Sequence, residues 1–177
     1  ITTSPVQSNP DPLLIKTVLD SFKFVGGLNE CPRIIVCDGC VVKEKFAKGD
    51  GFRCGVVTAE GERKYDEYKL RVKKECIRPN SGDMMLELPF RHGFGLAVKA
   101  GLKSVQTKDV MIVQHDRTFT RHASEVQLDN LLDLMDQNHG VLRVVNFLTK
   151  SLTNHAHRIQ GRWKRNPGVA AILKYCT

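Results

Sequence analysis

The sequence predicts an α/β fold, a mostly parallel sheet flanked by helices, and three observations carry that expectation. Two short apolar runs each end in an acidic residue: Arg33-Ile34-Ile35-Val36-Cys37-Asp38-Gly39 and Val110-Met111-Ile112-Val113-Gln114-His115-Asp116. Continuous apolar runs rich in β-branched residues read as strands buried on both faces of a parallel sheet. Segments of helical period alternate with these runs, which is the pattern of strands joined by right-handed helical crossovers. At 177 residues, 41% hydrophobic and 26% charged, the chain has the composition of one globular domain, residues 1–177.

The elements follow in order. Ile1 to Ser4 reads as a strand running into a polar loop, Pro5 to Pro10. Asp11 and Pro12 then supply a helix cap and a first-turn proline, and Leu14, Ile15, Val18, Leu19 and Phe22 recur at helical spacing until Gly26-Gly27. After the strand ending at Asp38 comes an exposed Lys- and Gly-rich connection, Lys43 to Arg53, and a short strand within Cys54 to Ala59. Tyr65, Tyr68, Val72 and Cys76 place a helix over 64–76 with a Lys/Arg outer face. Pro79 to Gly82 is a loop, and the stripe Phe94, Val98, Leu102 and Val105 predicts a helix directly before the strand that ends at Asp116. Ser124 with Gln127 forms a capping box, opening a helix that carries Val126, Leu131, Leu134 and Met135 and that Asn138-His139-Gly140 ends. Val141 to Leu148 returns as a strand, and a basic tail follows from Thr149.

The net charge of +8 favours anionic partners, whether phosphorylated small molecules, nucleic acid or acidic membrane surfaces. No stretch approaches the roughly 18 apolar residues that span a bilayer. The abrupt start at Ile1, in a strand, leaves room for a preceding signal or anchor. Six cysteines are few, and several sit in apolar surroundings, which favours reduced thiols and a cytoplasmic setting. Cys37 and Cys40 form a CxxC without the second close pair that a structural zinc site requires. There is no phosphate-binding P-loop, nucleophile elbow or HExxH zinc motif.

Ligands of open α/β sheets collect at the carboxyl ends of strands, so three such ends define the candidate site: Thr2-Thr3-Ser4-Pro5, Asp38-Gly39 and Gln114-His115-Asp116. With "LDSF" at Leu19 to Phe22, "IIVCDG" in the second strand, "GLAVKAGL" in the helix and "VMIVQHD" after it, residues 1–148 resemble the donor half of a GT-A glycosyltransferase of the family 2-like kind. The resemblance implies a Rossmann-like sheet of nucleotide-diphospho-sugar transferase type. It also implies that Thr3 and Ser4 lie near the nucleoside, that Asp38 accepts hydrogen bonds from base or ribose, and that Asp116, with His115 as a supporting ligand, binds the cation. That cation would be Mn²⁺ or Mg²⁺, stabilising the leaving diphosphate as a Lewis acid. Arg91, Lys99 or Arg117 would add positive charge to the phosphates.

The function expected is hexosyl-type transfer from a nucleoside-diphosphate sugar, UDP- or GDP-linked, to an acceptor of unknown identity. Residues 149–177 would begin the acceptor half. Gln114 stands where the family's DxD motif has its first carboxylate, and no catalytic base is identifiable unless it lies among Glu125, Asp129, Asp133 and Asp136. A catalytically silent binding module of the same fold is therefore the first alternative. Nucleic-acid binding through His155, His157, Arg158, Arg162, Trp163, Lys164 and Arg165 ranks behind it.

Overall fold

The apolar run at Ile34 forms the middle strand of a parallel sheet. In the computed structural model, which describes residues 1–138 and 149–151, the elements are β1 (Thr2–Thr3), α1 (Leu13–Asp20), β2 (Ile34–Cys37), β3 (Val41–Val42), β4 (Val56–Val57), α2 (Ala59–Cys76), β5 (Met84–Glu87), α3 (Phe94–Leu102), β6 (Arg117–Phe119), α4 (Glu125–Gln137) and β7 (Thr149–Ser151). Turns of 3-10 helix cover Ser21–Phe24 and Phe52–Cys54. The fold is mixed α/β, with small parallel sheets and four α-helices among the described residues. The strand expected at Val141 to Leu148 and the basic tail past Ser151 lie outside the described residues. The chain divides into two compact units, Ile1–Lys16 with Pro32–His115 and Thr17–Cys31 with Asp116–Thr177.

In the first unit β2 lies between β1 and β5, both parallel to it, with Thr2 opposite Val36, Thr3 opposite Cys37 and Ile34 opposite Met84. Successive strand residues point to opposite faces. Thr3 meets Tyr68 of α2 on one face, while Val36 meets Gly101 of α3 on the other. Helices therefore cover both faces of the sheet, which is why β2 reads as an unbroken apolar run. Ile35, Val36, Tyr65, Tyr68, Val72 and Ala97 are core residues of this unit. α2 begins at Ala59 rather than Lys64, because Thr58 caps it by accepting the Gly61 N–H at 3.0 Å, and Glu60 and Glu62 sit in its first turn.

Three expectations need correction. The run from Val110 to Asp116 is not a strand buried on both faces: Val110 and Ile112 are exposed, and only Gln114 forms a bridge, to Thr2. β1 is two residues long, so it offers pairing only from Val113 to His115, through the Thr2 N–H to Val113 at 3.0 Å and the His115 N–H to Thr2 at 3.1 Å. In α3 the large residues Phe94 and Leu102 are exposed, while Ala97 and Gly101 face inward. Small residues let the helix approach closely: a Cβ on Gly101 would stand 2.7 Å from Val36 Cγ2. Finally, Met84 to Glu87 forms a strand that the sequence pattern did not suggest.

In the second unit Ser21 donates to the Val18 carbonyl and accepts the Phe119 N–H at 3.1 Å, and Phe22 meets the Phe119 ring edge-on at 5.8 Å. β6 pairs antiparallel with β7. The Ser124/Gln127 capping box opens α4 as expected. Val126 and Leu134 are nevertheless exposed.

The start of β5 is fixed by Asp83, whose side chain is fully buried and accepts the Arg33 N–H at 2.9 Å, the Arg78 N–H at 3.1 Å and the Arg78 guanidinium at 2.7 and 2.8 Å. Desolvation pushes this carboxyl upward, but the Arg78 guanidinium and the two backbone donors outweigh it and hold it at about 2. A depressed carboxyl stabilises the fold above its unfolded value near 4 and loses that contribution as pH falls through its folded value. Denaturant unfolding of wild type and Asp83→Asn should therefore differ by about 2 kcal/mol more at pH 5 than at pH 2. An unchanged difference would show that the Asp83 junction does not carry this stability.

Candidate functional site

Parallel register brings the carboxyl ends of β1, β2 and the Gln114 segment to one end of the first unit's sheet. Asp38 sits immediately past β2, with its side chain 3% exposed, and every one of its polar groups is engaged. Its N–H donates to the Thr3 carbonyl at 2.9 Å, and its carbonyl accepts the Tyr65 hydroxyl at 2.8 Å. Its carboxylate accepts the backbone N–H of His92 at 2.8 Å and of Gly93 at 2.9 Å, and pairs with the Arg91 guanidinium. Gly93 is the cap residue of α3, so the negative charge also lies at the favourable end of that helix.

Gly39 brings the two segments into direct contact. A Cβ there would fall within 3 Å of the Phe90 backbone, so only glycine lets the turn after β2 pack against the loop after β5. In that loop the Phe90 and His92 rings stack with centroids 4.4 Å apart, and His92 Nδ1 lies 2.6 Å from the Phe90 carbonyl. Arg91 also reaches the Arg53 carbonyl at 3.5 Å, beside Gly55.

The other expected residues are distributed unevenly. Thr3 is buried, and its hydroxyl lies 3.0 Å from the Tyr68 hydroxyl beneath the strand end. Ser4 follows it and is partly exposed. His115 lies beside Thr2, with Nδ1 3.3 Å from the Thr2 carbonyl. Lys99 is exposed farther along α3. Asp116 and Arg117 belong to the second unit. Glu125, Asp129, Asp133 and Asp136 are all exposed on α4, as a solvated helix face would be.

Tyr65 and Tyr68 were legible as an inward helical stripe, but their use as hydroxyl anchors of β1 and β2 was not. Burial raises both hydroxyl pKa values, so they remain protonated partners at neutral pH. Burial, aided by Glu87, also pushes the Cys37 thiol up to about 12, and it holds no thiolate for metal or nucleophilic chemistry. Among the described residues no group of three or more His, Cys, Asp and Glu side chains could hold a metal ion.

The Gly39 contact makes a direct prediction. Gly39→Ala should destabilise the chain by about 2 kcal/mol or more in denaturant unfolding, because its methyl group meets backbone rather than a movable side chain. Wild-type stability for this variant would show that the loop after β5 is not held against Gly39. Compared with known proteins, the chain matches no family model, no curated protein and no solved structure.

Proposed function

We propose that the first unit binds a nucleoside-diphosphate sugar at the carboxyl ends of β1 and β2, and that the chain is a GT-A-like glycosyltransferase acting on an acceptor still to be found. The observation that supports this reading most is that two parallel strand ends, Thr3-Ser4 and Asp38, share one register, with Gln114 bridged in parallel to Thr2 beside them. Crevices at such ends are where α/β sheets hold nucleotides.

In this reading Asp38 acts chiefly by position. It fixes the Arg91-His92-Gly93 backbone, while Ser4, the partly exposed His92 and His115 supply polar groups toward the nucleotide. Arg91 has its charge committed to Asp38, and Lys99 is the more available cation for phosphate. The family resemblance alone assigns Asp116 the role of carboxylate for Mn²⁺ or Mg²⁺, whose remaining ligands would be phosphate oxygens and water. When bound, that cation would stabilise the diphosphate leaving group.

Two features favour a catalytically silent module of the same fold. Gln114 replaces the expected first carboxylate, and the four acidic residues of α4 lie exposed. No described helix is long and apolar enough to cross a membrane.

A thermal-shift survey of UDP and GDP, with and without Mn²⁺, tests the donor site. At saturating ligand one of them should raise the melting temperature by about 5 °C, and Asp116→Ala should abolish the Mn²⁺-dependent part. Release of free sugar from the matching nucleotide sugar then separates an enzyme from a silent module. No response to any nucleotide would overturn the reading.

A further inference from the structure

The Lys- and Gly-rich connection between β3 and β4 is a built structure. Asp50 accepts the Ala47 N–H at 2.7 Å and donates its own N–H to the Ala47 carbonyl at 3.0 Å, while Lys43 pairs with its carboxylate at 3.2 Å. Gly49 and Gly51 adopt φ of 97° and 146°, which L side chains rarely reach. Phe46 lies beside this turn, 50% exposed, between Lys45 and Lys48. Phe52 is exposed two residues after Asp50 and is followed by Arg53, while Val41 and Val42, on opposite faces of β3, are both exposed at the base of the same lobe.

Single exposed apolar residues are ordinary, but four large ones within thirteen residues, interleaved with cations, are not. With Asp50 neutralised by Lys43, the segment retains Lys45, Lys48 and Arg53 against Glu44 alone. We propose that this lobe, Val41 to Arg53, docks the protein on an anionic lipid surface. Phe46 and Phe52 enter the headgroup boundary, and the lysine and arginine heads reach the lipid phosphates and carboxylates around them. Charge complementarity selects an anionic partner. Whichever face of β3 is presented, its exposed valine favours a lipid surface over nucleic acid, because an aliphatic side chain neither stacks on bases nor pairs with phosphate. This inference is independent of the donor-site reading.

Co-sedimentation of the full chain with phosphatidylcholine vesicles, with and without phosphatidylserine, tests it, with a single-stranded oligonucleotide as the competing probe. Binding should require phosphatidylserine, weaken as salt rises, and fall about tenfold or more in Lys45→Glu/Lys48→Glu and again in Phe46→Ser. All three side chains are exposed, and unchanged thermal melting of each variant shows that the fold is retained. The proposal is overturned by three outcomes: no binding to anionic vesicles, vesicle binding that these substitutions leave intact, as the basic tail would produce, or oligonucleotide binding alone that they remove.

Discussion

The carboxyl end of the first unit's central strand is organised by one buried carboxylate. Asp38 ends the central strand, and its side chain accepts two backbone N–H groups and a guanidinium from the loop that leads into α3. A charge with this little solvent contact is tolerated only when its acceptor positions are filled, and removing one partner of such a pair costs several kcal/mol. Its backbone adds a bond to β1 and another from α2, so one residue ties together two strands, a helix and a loop. The glycine after it makes the same junction sterically, by letting the Phe90 backbone approach.

This constraint shapes what the strand ends can do. A carboxylate occupied in this way organises its surroundings more readily than it receives a ligand, so in the proposed donor site recognition would fall to Ser4, His92, His115 and backbone groups nearby. The hydroxyls of Tyr65 and Tyr68 brace the same ends from beneath. The candidate site is therefore a hydrogen-bonded frame, and in the proposed reading a nucleotide would be bound mainly through shape and hydrogen bonds.

Much of the frame was legible in the chain. The Ile34 to Cys37 run announced a strand covered on both faces because β-branched residues without polar interruption have no solvent side. Thr58 and Ser124 are helix caps whose chemistry is local, and Ser124 with Gln127 carries the clearer sequence signature. What was not legible depended on tertiary proximity. The inward face of α3 is set by how closely Gly101 can approach Val36, and a stripe of larger residues pointed to the wrong side. β5 is a four-residue strand whose pairing is decided by β2 and by the Asp83 junction rather than by its own pattern. The pairing of Arg91 with Asp38 spans 53 positions, a distance over which periodicity carries no information.

Amide hydrogen exchange in Asp38→Asn tests the central role of this carboxylate most directly. Asparagine keeps one acceptor and turns an NH₂ group toward donors that the carboxylate had satisfied. The account predicts that the His92 and Gly93 amides exchange much faster in the variant, while amides around Tyr65 and Tyr68 in α2 keep most of their protection. Unchanged exchange at His92 and Gly93 would contradict it.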